Sequence, residues 1–145
     1  MSPQSAVAPG ARSYSFPKEE HLCRKKLIQE LFGQGSSFGL YPLRFIWRLT
    51  EVPTANPPQV LISVSKRTFK RAVDRNRLKR LVREAYRLNK HVLLEAPGGH
   101  SVALLGLIYT GKEEKPFAVV EKKLTSGLER LLNETRPAPA AAEVS

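Results

Sequence analysis

The stretch SVSKRTFKRAVDRNRLKRLVREAYRLNK, from Ser63 to Lys90, decides how this chain is read. It opens on the end of a short apolar run, Val60 to Val64, consistent with a strand. It then takes on a helical period. On a wheel of about 100° per residue, Leu78, Leu81, Val82, Ala85 and Asn89 share one side, with Tyr86 and Leu88 at its margins. Asn76, Lys79, Arg80, Arg83, Arg87 and Lys90 fall on the other side, flanked by Arg75 and Arg77. The pattern predicts a helix that starts between Thr68 and Arg75, with Asp74 or Thr68 as its N-cap, and ends near Lys90.

The charge of the chain is concentrated here. The sequence has 24 Lys+Arg against 13 Asp+Glu, a net of +11. Eleven basic residues lie between Lys66 and Lys90, opposed only by Asp74 and Glu84, so this window carries nine of the eleven net charges. An excess of this size attracts polyanions, nucleic acid first and an anionic membrane surface second. A merely solvated helix face is the bland alternative, but such faces interleave Glu with Lys. This one favours arginine, whose planar fork grips phosphate and stacks on bases. Its cations also repel one another unless an anionic partner is present. The stripe is too continuous for reading base edges and suits phosphates. The strand before Lys66 supplies no partner helix for a helix-turn-helix, which argues against a DNA-binding factor.

Working outward, Cys23, Leu27, Ile28, Leu31 and Phe32 form one stripe of a helix predicted over residues 18–32, stopped by Gly33 and Gly35. Leu43 to Thr50 alternates as a strand, with Leu43, Phe45, Trp47 and Leu49 on one face and Arg44, Ile46 and Arg48 on the other. Residues 51–58, with three prolines, read as a loop, and Pro97-Gly98-Gly99 as a turn. Val102 to Tyr109 reads as a buried strand. Pro116 opens a last helix through Phe117, Val120, Leu124, Leu128 and Leu131. Helices alternating with strands predict a small α/β sandwich. One domain is expected over residues 16–134, between disordered tails at 1–15 and 135–145.

Chemistry carried by the protein itself is not evident. No apolar run is long enough to span a bilayer and no secretory signal opens the chain, so a cytoplasmic location is expected. Cys23 is the only cysteine, and His21, His91 and His100 are scattered, so no metal set or nucleophile motif emerges. Asp74 reads as a cap or charge partner, and Glu113-Glu114 as a solvated turn.

The run Ser63-Val64-Ser65-Lys66-Arg67, then Arg71-Ala72-Val73-Asp74-Arg75-Asn76-Arg77-Leu78-Lys79-Arg80, continuing through Arg83-Glu84-Ala85-Tyr86-Arg87, resembles the signature of the bacterial ribonuclease P protein subunit. The resemblance extends more weakly over residues 16–133, including Leu31, Phe32 and Gly35 at the end of the first helix. Thr68-Phe69-Lys70-Arg71 departs from it, being one residue longer than the family's element and lacking its glycine, so the turn into the helix must differ.

The resemblance implies an αβββαβα sandwich with a left-handed βαβ crossover, against the general rule for such connections. It implies that the partners are a catalytic RNA and precursor tRNA, with neither DNA nor membrane. The holoenzyme would hydrolyse one phosphodiester to release the 5′ leader, using Mg²⁺ bound by the RNA and no cofactor bound by the protein. Residues expected at the catalytic RNA are Lys66, Arg67, Arg71, Arg75, Asn76, Arg77, Lys79, Arg80, Arg83 and Arg87. Residues expected at the leader are Phe32, Phe45 and Trp47 with Arg44 and Arg48, since aromatics stack bases while cations track phosphates. Core packing competes for each aromatic, and Ile28 and Phe45 read as core first. A ribosomal or rRNA-binding protein shares the charge, size and class, and stands as the alternative.

Overall fold

The computed structural model describes residues 16–135. Four strands, β1 (Ser36–Leu40), β2 (Leu43–Thr54), β3 (Gln59–Val64) and β4 (His100–Tyr109), form one sheet in the order β1-β2-β4-β3. β2 is antiparallel to β1 and β4, while β3 and β4 run parallel. A parallel pair cannot be closed by a hairpin. The required crossover is α2 (Ala72–Asn89) followed by the one-turn α3 (His91–Leu94). With α1 (Lys25–Gln34) before the sheet and α4 (Phe117–Thr135) after it, the order is the αβββαβα of the resemblance with α3 added. The tails expected at 1–15 and 135–145 lie outside the described residues, except Thr135, which ends α4.

α2 and α4 cover one face of the sheet and α1 covers part of the other, which is why β4 is apolar along nearly all its length. Leu43, Phe45 and Trp47 of β2 and Leu105, Leu107 and Tyr109 of β4 face α2 and α4, joining Leu78, Val82, Ala85, Leu124 and Leu128 in the larger core. Gly127 lets α4 come close, because a Cβ there would overlap the Phe45 ring. On the other face Leu31 of α1 packs with Ile46, Leu104 and Leu22. Gly106 leaves room for Leu31 and Ile46 over β4. Full burial of a side chain such as Leu31 contributes about 1.5–3 kcal/mol.

Several elements differ from expectation, each through a long-range contact. The first helix begins at Lys25, not residue 18, because the preceding segment runs alongside β3. There His21 bridges Val60, Leu22 N–H donates to Val60 O at 2.8 Å, and only residues Lys18–Glu20 form a 3-10 turn. Cys23 is therefore exposed rather than part of the helical stripe. β1, which two serines and a glycine conceal in the sequence, pairs Phe38 with Phe45. β2 continues to Thr54, into the expected loop, with register shifts after Arg48 and Leu49. The N-cap of α2 is Arg71, without a side-chain cap, and Asp74 sits in the first turn. A carboxylate there complements the positive end of the helix dipole.

Lys90, expected on the cationic stripe, is instead 2% exposed. Its ammonium pairs with Glu20 at 2.8 Å and lies 6.0 Å from the Phe16 ring centroid, clipping the N-terminal segment to the end of α2. Burial, with Glu20 adding to it, pushes the Tyr86 phenol above its ordinary pKa.

His100 is expected to make the fold sensitive to acid. Its Nδ1 accepts Val102 N–H at 3.1 Å, so Nε2 carries the proton toward Asn56 O at 2.6 Å. Burial lowers its pKa, against the Asn56 contact, which raises it. A depressed histidine stabilises the fold above the unfolded pKa of about 6.5, and that stabilisation is lost as pH falls below it. The urea midpoint should drop between about pH 7.5 and 5.5, a window in which few carboxylates titrate. His100→Gln should flatten that drop; an identical pH slope in the variant would show that His100 does not carry it.

Candidate nucleic-acid interface

α2 buries Leu78, Val82, Ala85 and Tyr86 and turns its polar face outward. Asn76, Arg77, Arg80 and Arg83 are exposed, as are Lys66, Arg67, Lys70 and Arg71 in the preceding turn, while Arg75, Lys79 and Arg87 are half-buried. That turn is anchored where the sequence departs from the resembling family. Phe69 N–H donates to Ser65 O at 3.0 Å, Arg67 N–H donates to Ser65 Oγ at 3.1 Å, and the Phe69 ring meets Tyr109 edge-on.

The cations divide into two groups. The Arg75 guanidinium donates to Phe69 O and Lys70 O, both at 2.8 Å, so it braces the turn. Arg77 pairs with Glu114 at 2.8 Å and with Asp74 at 3.5 Å, and Asp74 also lies 3.8 Å from Arg71. The Glu114 hydrogen bond raises the Arg77 pKa, so Glu114 is a partner of the helix and not a solvated turn residue. Arg87 pairs with Glu84, and its hydrogen bond holds that carboxyl below its ordinary pKa. Among the described residues, Lys66, Arg67, Lys70, Lys79, Arg80 and Arg83 have no ion-pair partner. The acids neutralise the two ends of α2 and leave its middle turns and the Lys66–Arg67 turn as unbalanced positive charge.

The second expected surface needs correcting. Phe45 is 0% and Trp47 5% exposed, with Phe38 stacked 5.1 Å from the Phe45 ring, so neither ring is open to a base. Alternation placed them on one face correctly, but that face meets α2 and α4. The α1 side of the sheet carries Arg44, Ile46 and Arg48, and beyond α1 its floor continues through the half-buried Ile108, Ser63 and Leu61. Phe32 projects from α1 at 47% exposure. Arg44 donates to Ser37 Oγ at 2.8 Å. Arg48 donates to Gln34 O at 3.3 Å and lies 4.0 Å from Glu30, tying β2 to the end of α1. Ile46 was legible on this face beside Arg44 and Arg48, but Leu61, Ser63 and Ile108 were not, because β3 and β4 are largely apolar on both faces and carry no polar alternation to mark it.

A family model described as Ribonuclease P matches residues 16–132. The chain belongs to the ribonuclease P protein family. It is 39% identical over 120 residues to the ribonuclease P protein component of Porphyromonas gingivalis, covering 82% of this chain and 88% of that one. The component from Chlorobaculum tepidum is 37% identical over 112 residues, covering 71% and 72% of the two chains. Among solved structures, the ribonuclease P protein of Thermotoga maritima superposes with a TM-score of 0.58 at 29% identity, over 77% of this chain and 96% of that one. The Staphylococcus aureus protein, at 19% identity and the same TM-score of 0.58, shares the fold over 81% and 95% of the chains. Membership in the ribonuclease P family makes the chain a ribonuclease subunit and sets aside the ribosomal alternative. Among the described residues no three His, Cys, Asp or Glu side chains gather where they could hold a metal ion, and no helix is long and apolar enough to cross a membrane.

The unpaired middle of α2 yields a direct test on ribonuclease P RNA. Arg80→Ala with Arg83→Ala should weaken binding by a few kcal/mol and lower the salt slope by about two, at 0.7 to 0.9 counterions per phosphate. Both side chains are exposed, so circular dichroism should stay native. Unchanged affinity and slope would leave the stripe as a solvated face.

Proposed function

We propose that this chain binds the catalytic RNA of ribonuclease P through α2 and the turn before it. On the α1 side of its sheet it would receive the single-stranded 5′ leader of precursor tRNA. The observation that carries the reading is the row of unpaired cations, Lys66, Arg67, Lys79, Arg80 and Arg83, on a chain of this family. Arg71, Arg75, Asn76, Arg77 and Arg87 belong to the same surface in two roles. Asn76 and Arg71 are exposed to contact RNA, while Arg75 and Arg77 hold the turn and the neighbouring loop in place. On the leader side Phe32 offers a stacking edge, Arg44 and Arg48 offer charge, and Ser63, Leu61 and Ile108 make the floor beside the buried Ile46. Phe45 and Trp47 support that floor from behind.

Among the described residues no group of three His, Cys, Asp or Glu side chains could hold a metal ion, and the reading assigns the Mg²⁺ ions to the RNA, where they would supply the activated water for phosphodiester hydrolysis. The protein's own work is electrostatic and geometric. Two polyanions must meet, and a cationic protein with one face on each lowers their repulsion and holds the scissile bond in place. The chain would act in the bacterial cytoplasm, where precursor tRNAs are made.

Two measurements check this. The protein alone should not cleave precursor tRNA at any Mg²⁺ concentration, whereas adding it to the catalytic RNA should permit cleavage at lower Mg²⁺ and raise kcat/KM. Nuclease-free protein that cut at the mature 5′ end by itself would overturn the division of labour, as would a holoenzyme with the Mg²⁺ requirement of the RNA alone. Separately, Phe32→Ala in the holoenzyme should cost about 1–3 kcal/mol of affinity for leader-bearing precursor and leave mature tRNA binding unchanged. Equal loss for both substrates would remove Phe32 from the leader path.

A further inference from the structure

The end of the sheet where β1 turns into β2 carries a second built surface, outside both sites above. Tyr41 is 56% exposed and takes no part in either core cluster. Its ring is nevertheless held. The hydroxyl accepts Lys112 N–H at 3.4 Å, the Lys115 ammonium lies 5.8 Å from the ring centroid, and the adjacent Pro42 O accepts Thr110 N–H at 2.8 Å. The loop making these contacts is wound on the Tyr109 hydroxyl, which donates to Glu113 O at 2.6 Å and accepts Lys115 N–H at 2.9 Å. Glu114 of the same loop binds Arg77 of α2 at 2.8 Å. The chain of contacts makes Tyr41, its two lysines and the helix one connected body.

The position favours RNA as the occupant. Leu43 and Val64 both pair with Tyr109, so the Tyr41–Pro42 turn and the turn holding Lys66 and Arg67 leave the sheet at the same end. With neighbouring strands about 4.8 Å apart, two strand spacings put these turns on the order of 10 Å from each other, within reach of one RNA strand. Glu113 and Glu114 match the two lysines in number, but Glu114 is taken by Arg77, which leaves the loop positive toward a phosphate. A turn needs no aromatic here, and an exposed ring beside cations is the usual apparatus for holding an unpaired base.

We propose that Tyr41, flanked by Lys112 and Lys115, stacks an unpaired base of the catalytic RNA and extends the α2 interface around the end of the sheet. The proposal rests on the reading that α2 binds that RNA. The test is titration of the full-length protein with ribonuclease P RNA, without substrate. Tyr41→Ala should weaken binding roughly five- to a hundred-fold, and Tyr41→Phe should stay within about twofold of the parent because stacking survives. Lys115→Gln, which removes the charge over the Tyr41 ring but leaves the ring itself and the core in place, should lower the salt slope by about one. Tyr41→Ala binding as the parent does would overturn the proposal. Tyr41→Phe as weak as Tyr41→Ala would overturn it too, by placing the effect in the hydroxyl. Loss confined to leader-bearing precursor in the holoenzyme would overturn the assignment to the catalytic RNA. If Tyr41→Ala unfolds, a Lys115→Gln slope equal to the parent's decides against the proposal. A parent protein that fails to bind the RNA at all would instead sink the reading of α2.

Discussion

The seating of α2 on the sheet is the constraint from which the rest follows. Leu78, Val82, Ala85 and Tyr86 are each 0–1% exposed against α4 and β3, which fixes the rotation of the helix about its axis. With that rotation fixed, the six cations of α2, Arg75, Arg77, Lys79, Arg80, Arg83 and Arg87, cannot spread around the helix, and four more crowd the turn before it. Repulsion among them opposes folding, and acids relieve it at both ends of α2: Asp74 and Glu114 near the start, Glu84 with Glu20 toward the finish. The exposed pairs contribute little individually, roughly 0–1 kcal/mol, and matter more for where they leave charge uncompensated. The uncompensated part is Lys79, Arg80 and Arg83 with the turn before α2, the charge that the proposed RNA partner would meet.

Local periodicity made α2, α4, β3 and most of β4 legible, since an apolar stripe at helical or alternating spacing states what the segment buries. It also separated Phe45 and Trp47 from Arg44 and Arg48. It could not say which face of the sheet α2 and α4 would cover, because that depends on Gly127 admitting α4 over Phe45, a contact 82 residues apart in sequence. The same limit hid the start of α1, where Leu22 leaves the helical path to bond Val60. Lys90 looked like one more cation on the stripe until Glu20 was seen beside it. Arg-Asn-Arg read as three RNA contacts, and only geometry shows Arg75 bonded to the backbone of its own turn and Arg77 to Glu114. The signal that could have hinted at this is the scarcity of acids: few are available, and Asp74, Glu84, Glu114 and Glu20 are each taken up by cations of the helix or its ends.

On the proposed reading, the arrangement would separate two kinds of recognition on one small scaffold. The α2 surface offers charge in a fixed row and suits the backbone of a folded RNA. The α1 side offers a half-buried apolar floor, an exposed phenylalanine and two arginines already held by neighbours, and suits a flexible single strand whose bases need a surface. Both rest on regular elements rather than long loops, so neither needs much ordering when the partner arrives. The joint between them is the β3–β4 pair. Its one face supports α2, and its other face is the floor on the α1 side.

The central claim is that the uncompensated charge of α2 is matched to one RNA. The most direct measurement is to recover the intact protein from its own cells under mild salt and sequence the RNA that comes with it. The account predicts that the ribonuclease P RNA dominates, with precursor tRNAs carrying 5′ leaders as the minor class. Ribosomal RNA in its place, with no enrichment of the ribonuclease P RNA over its cellular abundance, would contradict it.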